Sequence, residues 1–168
     1  RQENFSAGAD IHELASNPDF IRSWEFIDTV KKPIIAAVNG IAFGGGNELL
    51  LMCDIILASK EAKFAQPEIS LGLICGGGGT QRLPWKIGKG MAMEMCLTGN
   101  SITAEEAKDI GLINHIYDTG ELIKNALQLA DIISLNPMDA IISTKKLIKD
   151  TCYNPVSYTH LRAHETME

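Results

Sequence analysis

The chain has 168 residues, 45% of them hydrophobic, enough to bury the core of one domain. A formal charge of −6 and a pI near 5.2 argue against nucleic acid or an anionic membrane as a general partner. No apolar run reaches the length of a membrane span, and the four cysteines (Cys53, Cys75, Cys96 and Cys152) include no C-x-x-C pair, so reduced thiols in a cytoplasm suit them better than a disulfide frame or a zinc site.

In chain order, Asn4 to Ile11 reads as the end of a strand in which Gly8 permits unusual backbone geometry. Asn17-Pro18 opens a helix whose Phe20, Ile21, Trp24, Phe26 and Ile27 form an apolar face, with Trp24 and Phe26 expected in the core. That helix is expected to end near Lys31-Lys32, a solvated pair complementing the helix dipole. Ile34 to Val38 is short, apolar and β-branched, which suits a buried strand, and Asn39-Gly40 makes the following turn. After Gly44, Gly45 and Gly46, the segment Glu48 to Cys53 is apolar almost all round and suits a buried helix. Asp54 to Ser59 and Lys63 to Ala65 read as strands, stopped by Pro67-Glu68. A second glycine cluster, Gly76 to Gly79, leads into a helix start at Thr80 to Leu83.

Beyond Gly88 the pattern turns helical. Met91 to Leu97 and Ala104 to Ile110 are short helices, the second opened by Ser101 or Thr103 with Glu105-Glu106 in its first turn and closed by Gly111. Glu121 to Ser134 carries Leu122, Ala126, Leu129, Ala130 and Ile133 on one stripe, and Pro137 begins a helix with Met138, Ile141, Ile142 and Leu147 apolar. The methionines read as interior filler rather than a cofactor box. Alternating buried strands and helices predict an α/β fold.

The glycine clusters limit the chemistry. A helix start leaves backbone N–H groups without intrahelical partners, and glycines let a ligand approach them, so Gly44 to Gly46 could hold a developing oxyanion; the same glycines could equally serve tight packing alone. A dinucleotide fingerprint fails because Leu49 stands three residues beyond Gly46. A phosphate loop fails because Gly88-Lys89-Gly90 lacks the hydroxyl residue and the upstream spacing. Glu48 could be a first-turn residue favourable to the dipole, and Glu68 a surface turn residue. Cys75 has no base placed beside it by sequence, which weighs against a nucleophilic role.

An ordered set of strings then narrows the reading: Phe5-Ser6-Ala7-Gly8-Ala9-Asp10-Ile11, Lys32 to Gly40, Gly44-Gly45-Gly46-Asn47-Glu48-Leu49, Cys53-Asp54-Ile55, Phe64-Ala65-Gln66-Pro67-Glu68-Ile69, Gly76 to Leu83 and Leu97-Thr98-Gly99. From Phe5 to about Asp150 the chain resembles the crotonase superfamily, and within it the enoyl-CoA hydratase branch. The resemblance implies a ββα spiral core, in part, over residues 1–100, then a C-terminal helical trimerisation region over 101–152 whose trimers commonly pair as hexamers. It implies that family members carry strands and helices before the first of these strings, so the start is expected to be truncated and the chain as written inactive. Residues 153–168 break the pattern; Val156 to Thr166 resembles a translated sequencing adapter and is expected to be a non-native tail.

The resemblance also implies the reaction: reversible hydration of a 2-enoyl-CoA thioester, with short chains preferred. Coenzyme A enters as part of the substrate, and no separate cofactor or metal is expected. Backbone N–H groups of Ala9 and Gly45 would form the oxyanion hole. Glu48 would orient and deprotonate the water, and Glu68 would exchange the proton at the α-carbon. Ala7, Ala9, Asp10, Ile11, Gly45 and Gly76 are the implied substrate contacts, with Gly76 helping to place the water. Two residues depart from the pattern: His12 stands where many members have Lys or another polar residue, and Cys75 where many have Pro. Enoyl-CoA isomerisation and a non-catalytic binding protein of the same fold are the competing expectations; keeping both acids favours hydration.

Overall fold

A computed structural model describes residues 4–10 and 24–151. Among the described residues the first helix, α1, spans Glu25–Thr29 and stops at Val30, whose backbone is already extended. The expected start of this helix at Asn17-Pro18, together with Phe20, Ile21 and His12, lies outside the described residues, as does the tail from 152 to 168. Lys31 and Lys32 are exposed but follow the helix end instead of forming it. Phe26, expected in the core, is 71% exposed.

Two ββ pairs and the helices after them build the centre. Strand β1 (Ile35–Val38) turns at Gly40 into β2 (Ile41–Phe43), and α2 (Gly45–Leu51) follows. Strand β3 (Ile55–Ser59) turns into β4 (Lys63–Ala65), followed by a 3-10 helix at Pro67–Leu71 and then α3 (Gly79–Ile87). Equivalent strands pair in parallel: Ile35 sits opposite Ile55 and Ile41 opposite Lys63. The two turns therefore feed two separate three-stranded sheets, β1-β3-β6 and β2-β4-β5. Parallel strands buried between other layers explain the near-continuous Ile, Leu and Ala runs.

Helix α4 (Lys89–Thr98) packs on α3. Strand β5 (Ile102–Thr103) pairs antiparallel with β4, and β6 (His115–Tyr117) pairs parallel with β3. Residues beyond 101 thus supply a strand to each sheet as well as helices α5 (Ala104–Asp109), α6 (Leu122–Ser134) and α7 (Met138–Asp150). Thr103 opens α5 with a reciprocal cap: its Oγ1 accepts the Glu106 N–H at 3.2 Å, and Glu106 Oε2 accepts the Thr103 N–H at 2.8 Å. Asp54 joins the C-terminal helices to the core, accepting the Ile34 N–H at 2.7 Å while pairing with Lys145 of α7 at 2.7 Å.

Val38, Leu50, Ile56, Phe64, Leu83 and Leu112 are fully buried in one core cluster. Burying each such side chain contributes about 1.5–3 kcal/mol. Met52 and Met95 fill this interior as expected, whereas Met93 and Met138 are exposed. The segment from Asn4 is less of a strand than its sequence suggests. Among the described residues a single parallel bridge, Ser6 to Ala42, fixes it to β2, with the Phe43 N–H donating to the Ser6 carbonyl at 3.0 Å. Gly8, at φ +103°, turns the chain away directly afterwards. No described helix is long and apolar enough to cross a membrane.

Candidate active site

The bridge at Ser6 brings the Gly8-Ala9 turn against the start of α2. A Cβ placed on Gly45 would stand 3.3 Å from the Ala9 nitrogen, and one on Gly8 would stand 3.4 Å from the Gly45 nitrogen. The Ala9 and Gly45 amides are therefore neighbours, and no described residue accepts either N–H. Gly44 makes the turn between β2 and α2 at φ +54°, a conformation that favours glycine, and a Cβ there would press on Glu68 Oε1 at 3.3 Å. Gly44 is thus both a backbone requirement and a close neighbour of an acid, while Gly45 and Gly46 make room for Trp24 and Ser6.

Glu48 lies in the first turn of α2 and is only 3% exposed. A buried carboxyl needs hydrogen-bond partners. The N–H groups of Gly77 and Gly79, in the second glycine cluster, both donate to its Oε1 at 2.8 Å. Gly76, the expected water-placing residue, is exposed beside them in the same cluster. Arg82 fixes the same loop, donating through Nη1 to the Gly77 carbonyl at 2.9 Å and through Nη2 to Asp28 of α1 at 2.9 Å. Trp24, just before α1, closes over the site: its ring meets the Cβ positions of Gly45 at 2.9 Å and Gly77 at 3.1 Å. Placed in the core by its sequence pattern, Trp24 packs instead on the glycines around Glu48.

Glu68 occupies the first turn of the 3-10 helix, half-buried. Burial pushes its carboxyl above the usual carboxylate range, and the nearby Glu48 adds to that rise. Its Oε1 accepts from Gln66 Nε2 at 3.1 Å, while its Oε2 is buried with no hydrogen-bond partner among the described residues. Donor atoms of Glu48, Glu68 and Cys75 all lie within 4.8 Å of one another. The two acids, placed 20 residues apart by the ββ turn and the following strand, converge on one spot.

Gln66 and Asn47 went unrecognised in the sequence. Both are fully buried, and Asn47 Nδ2 donates to Gln66 Oε1 at 2.6 Å. Gln66 Nε2 in turn reaches Glu68 Oε1 and, at 3.3 Å, Cys75 Sγ. The signal available was two amides flanking motif residues, each in an otherwise apolar setting. Burial pushes the Cys75 thiol up to about 12, consistent with its exclusion as a nucleophile. Ala7 and Asp10 are exposed beside Ala9, and Ile11 lies outside the described residues. A cavity of about 1280 Å³, lined by Met52, Asp54, Trp85 and Ile133 among others, does not include either acid.

A profile described as enoyl-CoA hydratase/isomerase matches residues 1–167. The chain belongs to this family. It is 50% identical over 139 residues to a mitochondrial enoyl-CoA hydratase of Pongo abelii, a match covering 79% of the chain and 48% of that protein. A short-chain-enoyl-CoA hydratase of Clostridium acetobutylicum is 40% identical over 157 residues, covering 88% of the chain and 60% of the relative. Among solved structures, an enoyl-CoA hydratase subunit I from Geobacillus kaustophilus superposes with a TM-score of 0.93 at 36% identity, covering 99% of the chain and 68% of its own. The chain spans about half to three fifths of the length of these curated relatives. The α/β architecture expected from the sequence, with its paired ββα units, is that of a crotonase-fold protein.

Proposed function

We propose that the protein hydrates 2-enoyl-CoA thioesters reversibly to 3-hydroxyacyl-CoA, with Glu48 and Glu68 handling the water and its protons. The convergence of both carboxyls beside two neighbouring amides carries this reading. Adding water across the double bond places hydroxyl on the β-carbon and a proton on the α-carbon while the thioester oxygen gains enolate character. The N–H groups of Ala9 and Gly45 suit that oxygen; one such donor is worth roughly 3 kcal/mol in other oxyanion holes. Glu48, held by two amides on one oxygen, is suited to orient the water and accept its proton. Glu68, whose carboxyl holds its proton to higher pH than usual, is suited to deliver that proton to the α-carbon.

The names of the relatives support hydration, and the Clostridium acetobutylicum protein supports a short acyl chain. No separate cofactor is assigned; coenzyme A is part of the substrate. A homotrimer, or a pair of trimers, would cover Ile132, Leu135 and Ile148, all more than half exposed on α6, on α7 and between them. A reducing compartment, such as a bacterial cytoplasm, suits the free thiols of Cys53, Cys75 and Cys96.

The test is loss of enoyl-thioester absorbance with crotonyl-CoA, using full-length protein and the single variants Glu48→Gln and Glu68→Gln. Each is expected to lose about 10²–10⁴-fold in kcat. Wild-type rates in either variant would refute the two-acid assignment. Isomerisation of a 3-enoyl-CoA without hydration would favour the competing reaction.

A further inference from the structure

We propose that Cys75, Glu68 and Glu48, with Cys96 in reach of Cys75, form a binding site for a borderline-soft divalent cation of the Zn2+ class. Binding rests on geometry alone; only its consequence, blocking the water position between the acids, rests on the hydratase reading.

Three donor atoms from these residues already stand within 4.8 Å of one another. Around a tetrahedral zinc, ligands at about 2.0–2.3 Å lie about 3.3–3.8 Å apart, so on binding these donors would draw together by up to about 1.5 Å. The Cys75 and Cys96 sulfurs are 4.0 Å apart. Two thiolates on one zinc stand about 3.8 Å apart, whereas a disulfide would need about 2 Å. The sulfur pair therefore already has the spacing of a metal-bridged pair. Glu48 is nine-tenths buried, and the two amides that fix its carboxyl both donate to Oε1. Glu68 Oε2 is buried and accepts no hydrogen bond from a described residue. Gln66 Nε2 touches both Glu68 Oε1 and Cys75 Sγ, so one amide orients two ligands from outside, the arrangement that sustains metal sites.

The donor set selects the ion. Thiolate beside carboxylate favours zinc over the hard cations magnesium and calcium, which take all-oxygen shells. On binding, the cation replaces the Cys75 thiol proton, which passes to solvent. No electrons are transferred. A cation bridging Glu48 and Glu68 would occupy the place where the substrate water must sit, so zinc would act as an inhibitor. The sequence pointed away from any such site, because Cys75 and Cys96 are 21 residues apart and meet only when α4 packs beside the second glycine loop.

The full-length protein, stripped with a chelator, is titrated with Co2+ while the thiolate-to-cobalt charge-transfer absorption is followed, and Zn2+ is then added in competition. The expected result is a band saturating at one equivalent and bleached by Zn2+. It should be lost in Cys75→Ala and weakened about tenfold or more in affinity in Cys96→Ala, the scale of loss for disturbed metal sites. No band, or an unchanged band in Cys75→Ala, overturns the proposal. Should Cys75→Ala fail to fold, Glu68→Gln serves: undiminished affinity there overturns it equally. The readout involves no turnover, so a catalytically silent protein with an intact band would sink the hydration reading and leave this one standing.

Discussion

Glu48 has two separable jobs, and substitution can divide them. Replacing it by Ala removes the acceptor for the N–H groups of Gly77 and Gly79, both buried residues donating at 2.8 Å. Each buried donor left without a partner costs about 1–3 kcal/mol, so Glu48→Ala is expected to lose about 2–6 kcal/mol of stability. Glu48→Gln keeps an oxygen where Oε1 stands and should lose no more than about half of that. Catalysis divides differently: neither variant can take a proton from water, so both should fall about 10²–10⁴-fold in kcat. Urea denaturation gives the first comparison and crotonyl-CoA hydration the second. Equal stability of the Ala and Gln variants would refute the structural role. An active Gln variant would refute the chemical one.

Burial raises the Glu68 carboxyl, so its contribution to stability is complete below the ordinary value of 4.5 and is lost as pH rises through the raised one. Denaturation midpoints should therefore fall less from pH 4 to pH 8 in Glu68→Gln than in the parent protein. Lys145→Met leaves Asp54 without its ion-pair partner at 2.7 Å, in a site where the two side chains are 9% and 18% exposed. The expected loss is about 3–5 kcal/mol, read by chemical denaturation. Thr103→Ala removes the reciprocal cap of α5 and should cost about 1 kcal/mol, seen as a small drop in Tm.

Much of the fold was legible because local chemistry and tertiary position agree. Ile35–Val38 and Ile55–Ser59 are strands because short apolar runs led by β-branched Ile and bounded by turn residues suit a buried sheet. The Thr103 cap was one of two candidates, and Glu106 three residues on decides between them. Where reading failed, a distant partner overrode the local pattern. Trp24 and Phe26 share an apolar stripe, yet the first packs on the glycines around Glu48 and the second faces out. The Asn47–Gln66 pair was invisible because each amide is tolerable in the interior only when joined to the other, 19 residues away. The two acids could be named from their motifs, but not their shared spot, which depends on β4 returning beside β2.

The β1-β3-β6 sheet has a consequence for how the chain is made. Strand β3 can pair with β1 as soon as it emerges, but its far edge waits for β6, and the Asn114 Oδ1 that accepts the Ile56 N–H comes 58 residues later. At about 5–20 residues per second on a ribosome, that interval lasts roughly 3–12 s. Throughout it an apolar parallel strand offers unpaired amides and carbonyls to any passing neighbour. Nascent chains stalled within that window should be the form most dependent on a chaperone.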